Sequence, residues 1–139
     1  MAALLSTAIL PVAHSDRRAT VACKIHHAAL WTDDLEADAR FFAAFFGADV
    51  GEPYRSARRP GFVSRFAVLP GGGAIELMAA PWIEQAAQGE RIGWSHVAIA
   101  LGESSLVDAL AEKARSVGAL VSAPRMTGDG YYEPVLVTP

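Results

Sequence analysis

The sequence predicts an α+β domain of two tandem strand–helix–three-strand modules. Two observations carry this fold class. First, setting His27 above His96 aligns HAALWTDDLEADARFFAAFFGA with HVAIALGESSLVDALAEKARSVGA at a nearly constant offset. The histidines differ by 96 − 27 = 69, the first helical leucines by 106 − 35 = 71, and the closing glycines by 118 − 47 = 71. A spacing near 70 is too long for a solenoid unit and fits two copies of a half-domain. Second, each copy starts as an apolar strand, turns polar, and then shows apolar residues at helical spacing.

In the first copy the strand begins at His27 and the polar turn is Thr32 to Asp34. Leu35, Ala39, Phe42 and Phe45 or Phe46 mark one side of the helix. Asp33 is placed to cap it, Glu36 completes a capping-box spacing, and Gly47 supplies the stop. Strands follow at about 49–54, 62–69 and 74–79, the last two joined by a Pro-Gly-Gly-Gly hairpin turn at Pro70–Gly73.

The second copy opens with a strand over His96–Leu101, then Ser104 as cap, a buried stripe of Leu106, Leu110, Ala114 and Val117, and Gly118 as stop. Segments 120–122 and 132–137 read as strands flanking a turn at Thr127–Gly130. The last strand of this module is missing from the sequence. Residues 1–22 read as an N-terminal extension and 23–139 as a single domain, with module one at 24–80, a partly helical linker at 81–91 and module two at 92–139.

Composition narrows the function classes. A net charge of −3 with 19% charged residues argues against a nucleic-acid binder, which carries a clustered positive excess. The local basic cluster, Arg55, Arg58 and Arg59 beside Pro53, Pro60 and Gly61, reads first as a solvated loop and second as an anion-binding or gating loop. The single cysteine, Cys23, excludes a disulfide framework and a multi-cysteine zinc site, and it fits a reducing, cytoplasmic setting. The opening MAALLSTAILPVA lacks a basic n-region, is interrupted by Pro11, and is too short to span a bilayer, so no membrane partner is expected.

Strand side chains alternate, so His27, Ala29 and Trp31 share a face, as do His96, Ala98 and Ala100. Glu76 is a carboxylate inside the apolar run AIELMAA, which is costly unless the group is paired, hydrogen-bonded or metal-bound. A lone strand histidine is more often a hydrogen-bonded core residue. Equivalent histidines in both copies, with that glutamate, favour a metal set of His27, Glu76 and His96. Two imidazoles and a carboxylate suit Zn, Ni, Co, Mn or Fe as the divalent ion. His26 reads as structural or solvent-facing, and His14 has no companion ligands. Trp31, Trp94 and Phe66 read as core aromatics first and pocket lining second.

The motifs IHHAALWTDDLEADARFF, AIELM, GWSHVAIAL and TGDGYYEPVLVTP together resemble the vicinal oxygen chelate superfamily, the glyoxalase and bleomycin-resistance fold, over about residues 24–139. The resemblance implies two βαβββ modules forming an open, curved mixed sheet with flanking helices around a divalent metal. It implies His27, Glu76 and His96 as ligands. A fourth would fall one repeat after Glu76, at 76 + 69 = 145 or 76 + 71 = 147, beyond Pro139. The implied activity is a metal-dependent, glyoxalase-type lyase or isomerase. The ion would act as a Lewis acid on two oxygens of a small substrate while a carboxylate moves a proton. Trp31, Phe66 and Tyr132 are the expected pocket lining, and a homodimer is the expected assembly. The alternatives are a non-catalytic, resistance-type small-molecule binder or a truncated inactive homologue.

Overall fold

The computed structural model describes residues 25–84, 95–128 and 130–139. The expected extension, Cys23, most of the linker including its helical turn, and Trp94 lie outside the described residues.

The first module follows the expected plan: β1 (His27–Trp31), α1 (Leu35–Phe46), β2 (Asp49–Val50), β3 (Tyr54–Arg55), β4 (Val63–Val68) and β5 (Ala74–Ala79). The strands form an open sheet in the order β1-β5-β4-β2, with β3 also paired to β4. β1 runs parallel to β5, and β4 is antiparallel to it. Parallel neighbours need a crossover, and α1 with the following strands provides it. The expected strand at 49–54 is split in two, with Gly51, Glu52 and Pro53 between the pieces.

Helix α1 starts one residue later than its sequence signature suggests. Asp34, not Asp33, is the N-cap, and its Oδ1 accepts the Ala37 N–H at 2.8 Å. Glu36 therefore makes no capping box and instead receives the Arg65 guanidinium of β4 at 2.7 Å. Gly47 ends the helix at φ 62°, a left-handed conformation in which a side chain is strained, and its N–H returns to the Ala43 carbonyl. Asp38, Ala39, Phe41 and Phe42 are buried beneath α1, and Phe41 stacks on Phe45 at 4.6 Å between ring centroids.

The second module contributes α2 (Ser104–Ser116), β6 (Leu120–Met126) and β7 (Tyr132–Leu136). Glu103 is the N-cap of α2 rather than Ser104, and it forms no side-chain cap. The buried stripe of the helix is only partly the expected one: Ala114 is buried and Leu110 packs on the core, but the two ends of the stripe turn out. Ala111 and Ala114 are buried, whereas Leu106 and Val117 stand 52% and 65% exposed. Small alanines allow α2 to approach the shared core closely, where larger stripe residues would hold it off.

The pairing of β6 with β7 repeats that of β3 with β4. Tyr54 opposes Ser64 and Arg55 opposes Val63; in the second half Arg125 opposes Glu133 and Met126 opposes Tyr132. The offsets are 125 − 54 = 71 and 133 − 64 = 69, the same two values that the sequence repeat carries.

One expected element is not formed: residues 95–101 are not a strand. In the first module β1 is held by a parallel ladder with β5, and among the described residues no strand pairs with the 95–101 segment. A strand without a ladder partner leaves its N–H and C=O groups unpaired, so the segment has no reason to be regular. Val97 and Ile99 nonetheless pack on the common core, which joins Phe42, Ile75 and Leu77 to Ala114 and Leu136.

Candidate functional site

The site follows from strand alternation. On β1, Ala28 and Leu30 turn toward the helices while His27, Ala29 and Trp31 turn outward. On β5, Ile75 and Leu77 are buried while Glu76 and Met78 lie on the open face. Register aligns these rows: Ala29 sits beside Glu76 and Trp31 beside Met78, while on β4 Phe66 opposes Glu76 and Ser64 opposes Met78.

His27, one row from Glu76, reaches it diagonally, with Nε2 3.7 Å from Oε2. Their side chains are 38% and 19% exposed, so the pair borders solvent on one side. Phe66 stands edge-on to the imidazole at 5.3 Å. On the other side of that ring, His26 Nδ1 lies 2.9 Å from His27 Nδ1, so one nitrogen carries the proton and donates it to the other. When His27 is the donor, its Nε2 lone pair faces Glu76. In the other tautomer the His27 Nε2–H is on the side of the Glu76 carboxylate, 3.7 Å from Oε2.

Two ligands each about 2.0–2.2 Å from a common ion stand roughly 3–3.6 Å apart, so the pair is within a few tenths of an ångström of metal-bridging geometry. These two donors fit a divalent ion; a complete set is not assembled. Among the described residues no group of three His, Cys, Asp or Glu side chains is gathered that could hold a metal. His96 is exposed in the irregular 95–100 segment and is not part of the cluster.

The residues expected to line a pocket are divided. Phe66 and Trp31 share the open face; Trp31 is 37% exposed and meets Phe62 edge-on at 5.9 Å. Tyr132 is directed to α2, where its hydroxyl lies 2.6 Å from Asp108 Oδ1. That hydrogen bond, with desolvation second, raises the phenol pKa above its ordinary value of 10.0. An apolar crevice of about 10 Å³, lined by Leu30, Phe42, Ile99 and Leu136 among others, lies on the helix side of β1. It has room for a water at most and is a packing defect remote from His27 and Glu76.

Sequence reasoning missed three features. The His26–His27 contact was signalled only by the histidine doublet. Asp38 is 6% exposed with Oδ1 lacking a partner, and desolvation raises its pKa against the lowering effect of the Thr32 hydrogen bond. Arg59 lies over both the Phe62 ring, at 5.1 Å, and the Trp82 ring, at 5.2 Å.

Residues 24–133 match the model of a family described as the Glyoxalase/Bleomycin resistance protein/Dioxygenase superfamily. Among solved structures, a glyoxylase/bleomycin resistance protein/dioxygenase domain from Frankia sp. EAN1pec superposes with a TM-score of 0.68 at 18% identity, covering 86% of this chain and 94% of that one. The trypanothione-dependent glyoxalase I of Leishmania major gives 0.60 at 17% identity, covering 84% and 87%. A mutant of the fosfomycin resistance protein FosX from Listeria monocytogenes, complexed with Mn(II) and a dihydroxypropylphosphonic acid, gives 0.59 at 18% identity, covering 81% and 84%. At these identities the likenesses establish the fold. No curated protein sequence matches significantly.

Proposed function

Because the chain belongs to the Glyoxalase/Bleomycin resistance protein/Dioxygenase superfamily, we propose that it is a divalent-metal-dependent, glyoxalase-type lyase or isomerase whose open sheet face binds a small oxygen-chelating substrate. The observation that carries this reading is the His27–Glu76 pair, an imidazole nitrogen and a carboxylate oxygen 3.7 Å apart on that face. When bound, the ion would act as a Lewis acid toward oxygens of the substrate.

The chain's own residues supply the rest. His26 holds the His27 ring through the Nδ1 contact, so that Nε2 is presented to the face. Glu76 has a second carboxylate oxygen with which to accept a substrate proton. Phe66 shields one side of the imidazole from water. His96 is the third donor of the proposed set. Closing that set needs the 95–100 segment to move onto the first-module face, or a second chain to deliver its own His96. The homodimer is proposed on the same ground, and light scattering at working concentration tests it, a monomer being contrary.

A cytoplasmic setting belongs to this proposal; no helix among the described residues is long and apolar enough to cross a membrane. The experiment is metal content after purification in wild type, His27→Ala and His96→Ala. The reading expects the content to fall in both variants, and unchanged stoichiometry in both would remove the metal site. That two donors, and not three, are gathered among the described residues favours a second reading, a resistance-type binder that sequesters a small molecule without catalysis. Thermal-shift screening separates the two: stabilisation by an organic ligand that is indifferent to chelator supports sequestration.

A further inference from the structure

The basic loop between β3 and β4 has a structure that the metal reading does not use. Ser56 and Phe62 close it: the Ser56 N–H donates to the Phe62 carbonyl at 3.2 Å, the Phe62 N–H to the Arg59 carbonyl at 2.9 Å, and the Arg59 N–H to Ser56 Oγ at 3.1 Å. Gly61 completes it at φ +92°, where a Cβ would stand 2.9 Å from Pro81 Cδ. Only glycine lets the loop lie this close to Pro81 and Trp82.

The closed loop holds Arg59 against two rings, its guanidinium carbon 5.1 Å from the Phe62 centroid and 5.2 Å from the Trp82 centroid. Cation–π contact holds a guanidinium without using its N–H donors, which stay available to an anion. No ion pair among the described residues reaches Arg55, Arg58 or Arg59, and all three are exposed. In a chain of net charge −3 this is a concentration of unneutralised positive charge, and the cluster is anchored rather than loose.

The cluster is continuous with the candidate site. Phe62 packs on Trp31, the last outward residue of β1, while Phe66 packs on His27, the first. Phe62 and Phe66 are on the same side of β4, separated by Ser64. At about 3.3 Å per residue, the arginine end lies roughly 13 Å along the sheet from the Glu76 row.

We propose that Arg59, clamped by Phe62 and Trp82 and flanked by Arg55 and Arg58, is a recognition subsite for an oxyanion, a carboxylate or phosphonate, at the far end of an extended ligand lying along the open face. The inference rests on the proposed use of that face, and it narrows the ligand to an anionic one. The ring-held guanidinium offers planar, paired donors of the kind that match a carboxylate or phosphonate, and its immobilisation lowers the ordering cost of binding.

Titration with phenylphosphonate, read by intrinsic tryptophan fluorescence, to which Trp82 at the subsite contributes, tests the subsite, with benzyl alcohol as the neutral control. Saturable binding of the phosphonate that weakens as sodium chloride is raised is expected, with none for the alcohol. Arg59→Gln should weaken binding by roughly tenfold or more. The double variant R55Q/R58Q, which leaves the aromatic clamp intact, should weaken it by a few-fold, and unfolding midpoints monitor the fold of each. No saturable response in the wild type, or equal affinity in wild type and both variants, overturns the proposal. His27→Ala separates the two readings: phosphonate binding that persists there while metal is lost supports both. A wild type that binds metal but no phosphonate overturns the subsite alone, and phosphonate binding without metal overturns the metal reading alone.

Discussion

The placement of Glu76 on the open face, with Leu77 beneath it, is open to a direct contrast. Leu77 is wholly buried, and β5 alternates Ile75 and Leu77 inward with Glu76 and Met78 outward. Truncating Leu77 to Ala removes three buried carbons against α1 and leaves a cavity in a core that cannot fully close. The expected cost is about 3–4 kcal/mol. With a urea dependence of about 1.5–2 kcal/mol/M, the unfolding midpoint should drop by roughly 2 M. Glu76→Ala removes a carboxylate that is 19% exposed and whose recorded partner is His27 at 3.7 Å, and should cost clearly less than the Leu77 truncation, about 1 kcal/mol. Equilibrium urea unfolding of both variants is the assay. A one-residue slip of β5 would exchange the two faces and reverse the order of the two effects. A Glu76→Ala loss equal to or larger than that of Leu77→Ala would therefore refute the assignment of faces on which the site depends.

Other expectations follow from single groups. Burial raises the Asp38 pKa above 3.8, so its contribution favours the fold below that pH and is lost as pH rises through the higher folded value. Asp38→Asn should then stabilise the protein by about 1 kcal/mol at pH 7, with the gain vanishing in acid; a difference that ignores pH would contradict this. Asp34→Ala removes the cap on α1 and should cost about 1 kcal/mol in the same unfolding assay. The raised Tyr132 phenol contributes stability that is complete below pH 10.0 and lost as pH climbs through the folded value. Tyr132→Phe should therefore abolish that alkaline step in a pH–stability profile. His26→Ala should weaken metal binding by about 10–100-fold if it orients His27, as read by metal titration.

What could be seen in the sequence, and what could not, has a physical basis. The repeat was legible because strand and helix periods survive divergence, and the 69- and 71-residue offsets reappear as paired registers in β3–β4 and β6–β7. Period-two alternation put His27, Ala29 and Trp31 on one face of β1, whereas Glu76 was marked by its charge inside an apolar run. The failures lie where tertiary partners decide. The 95–101 segment has strand composition but no ladder neighbour among the described residues. On α2 the expected Leu110 and Ala114 do face the core, but Ala111 joins them and the ends of the stripe, Leu106 and Val117, are exposed. The cap of α1 moved by one residue because Asp33 and Asp34 are chemically equal and only the backbone geometry distinguishes them. The Arg59 clamp joins residues more than twenty positions apart, Arg59 and Trp82, and no local pattern announces it.

The central claim is that His27 and Glu76 together hold a divalent ion, and calorimetric titration of Mn(II) into wild type, His27→Ala and Glu76→Ala measures it directly. The account predicts saturable binding to the wild type that weakens by at least roughly tenfold in each variant, with each variant still folded by its unfolding transition. Absence of saturable binding to the wild type, or the same affinity in all three proteins, would contradict it.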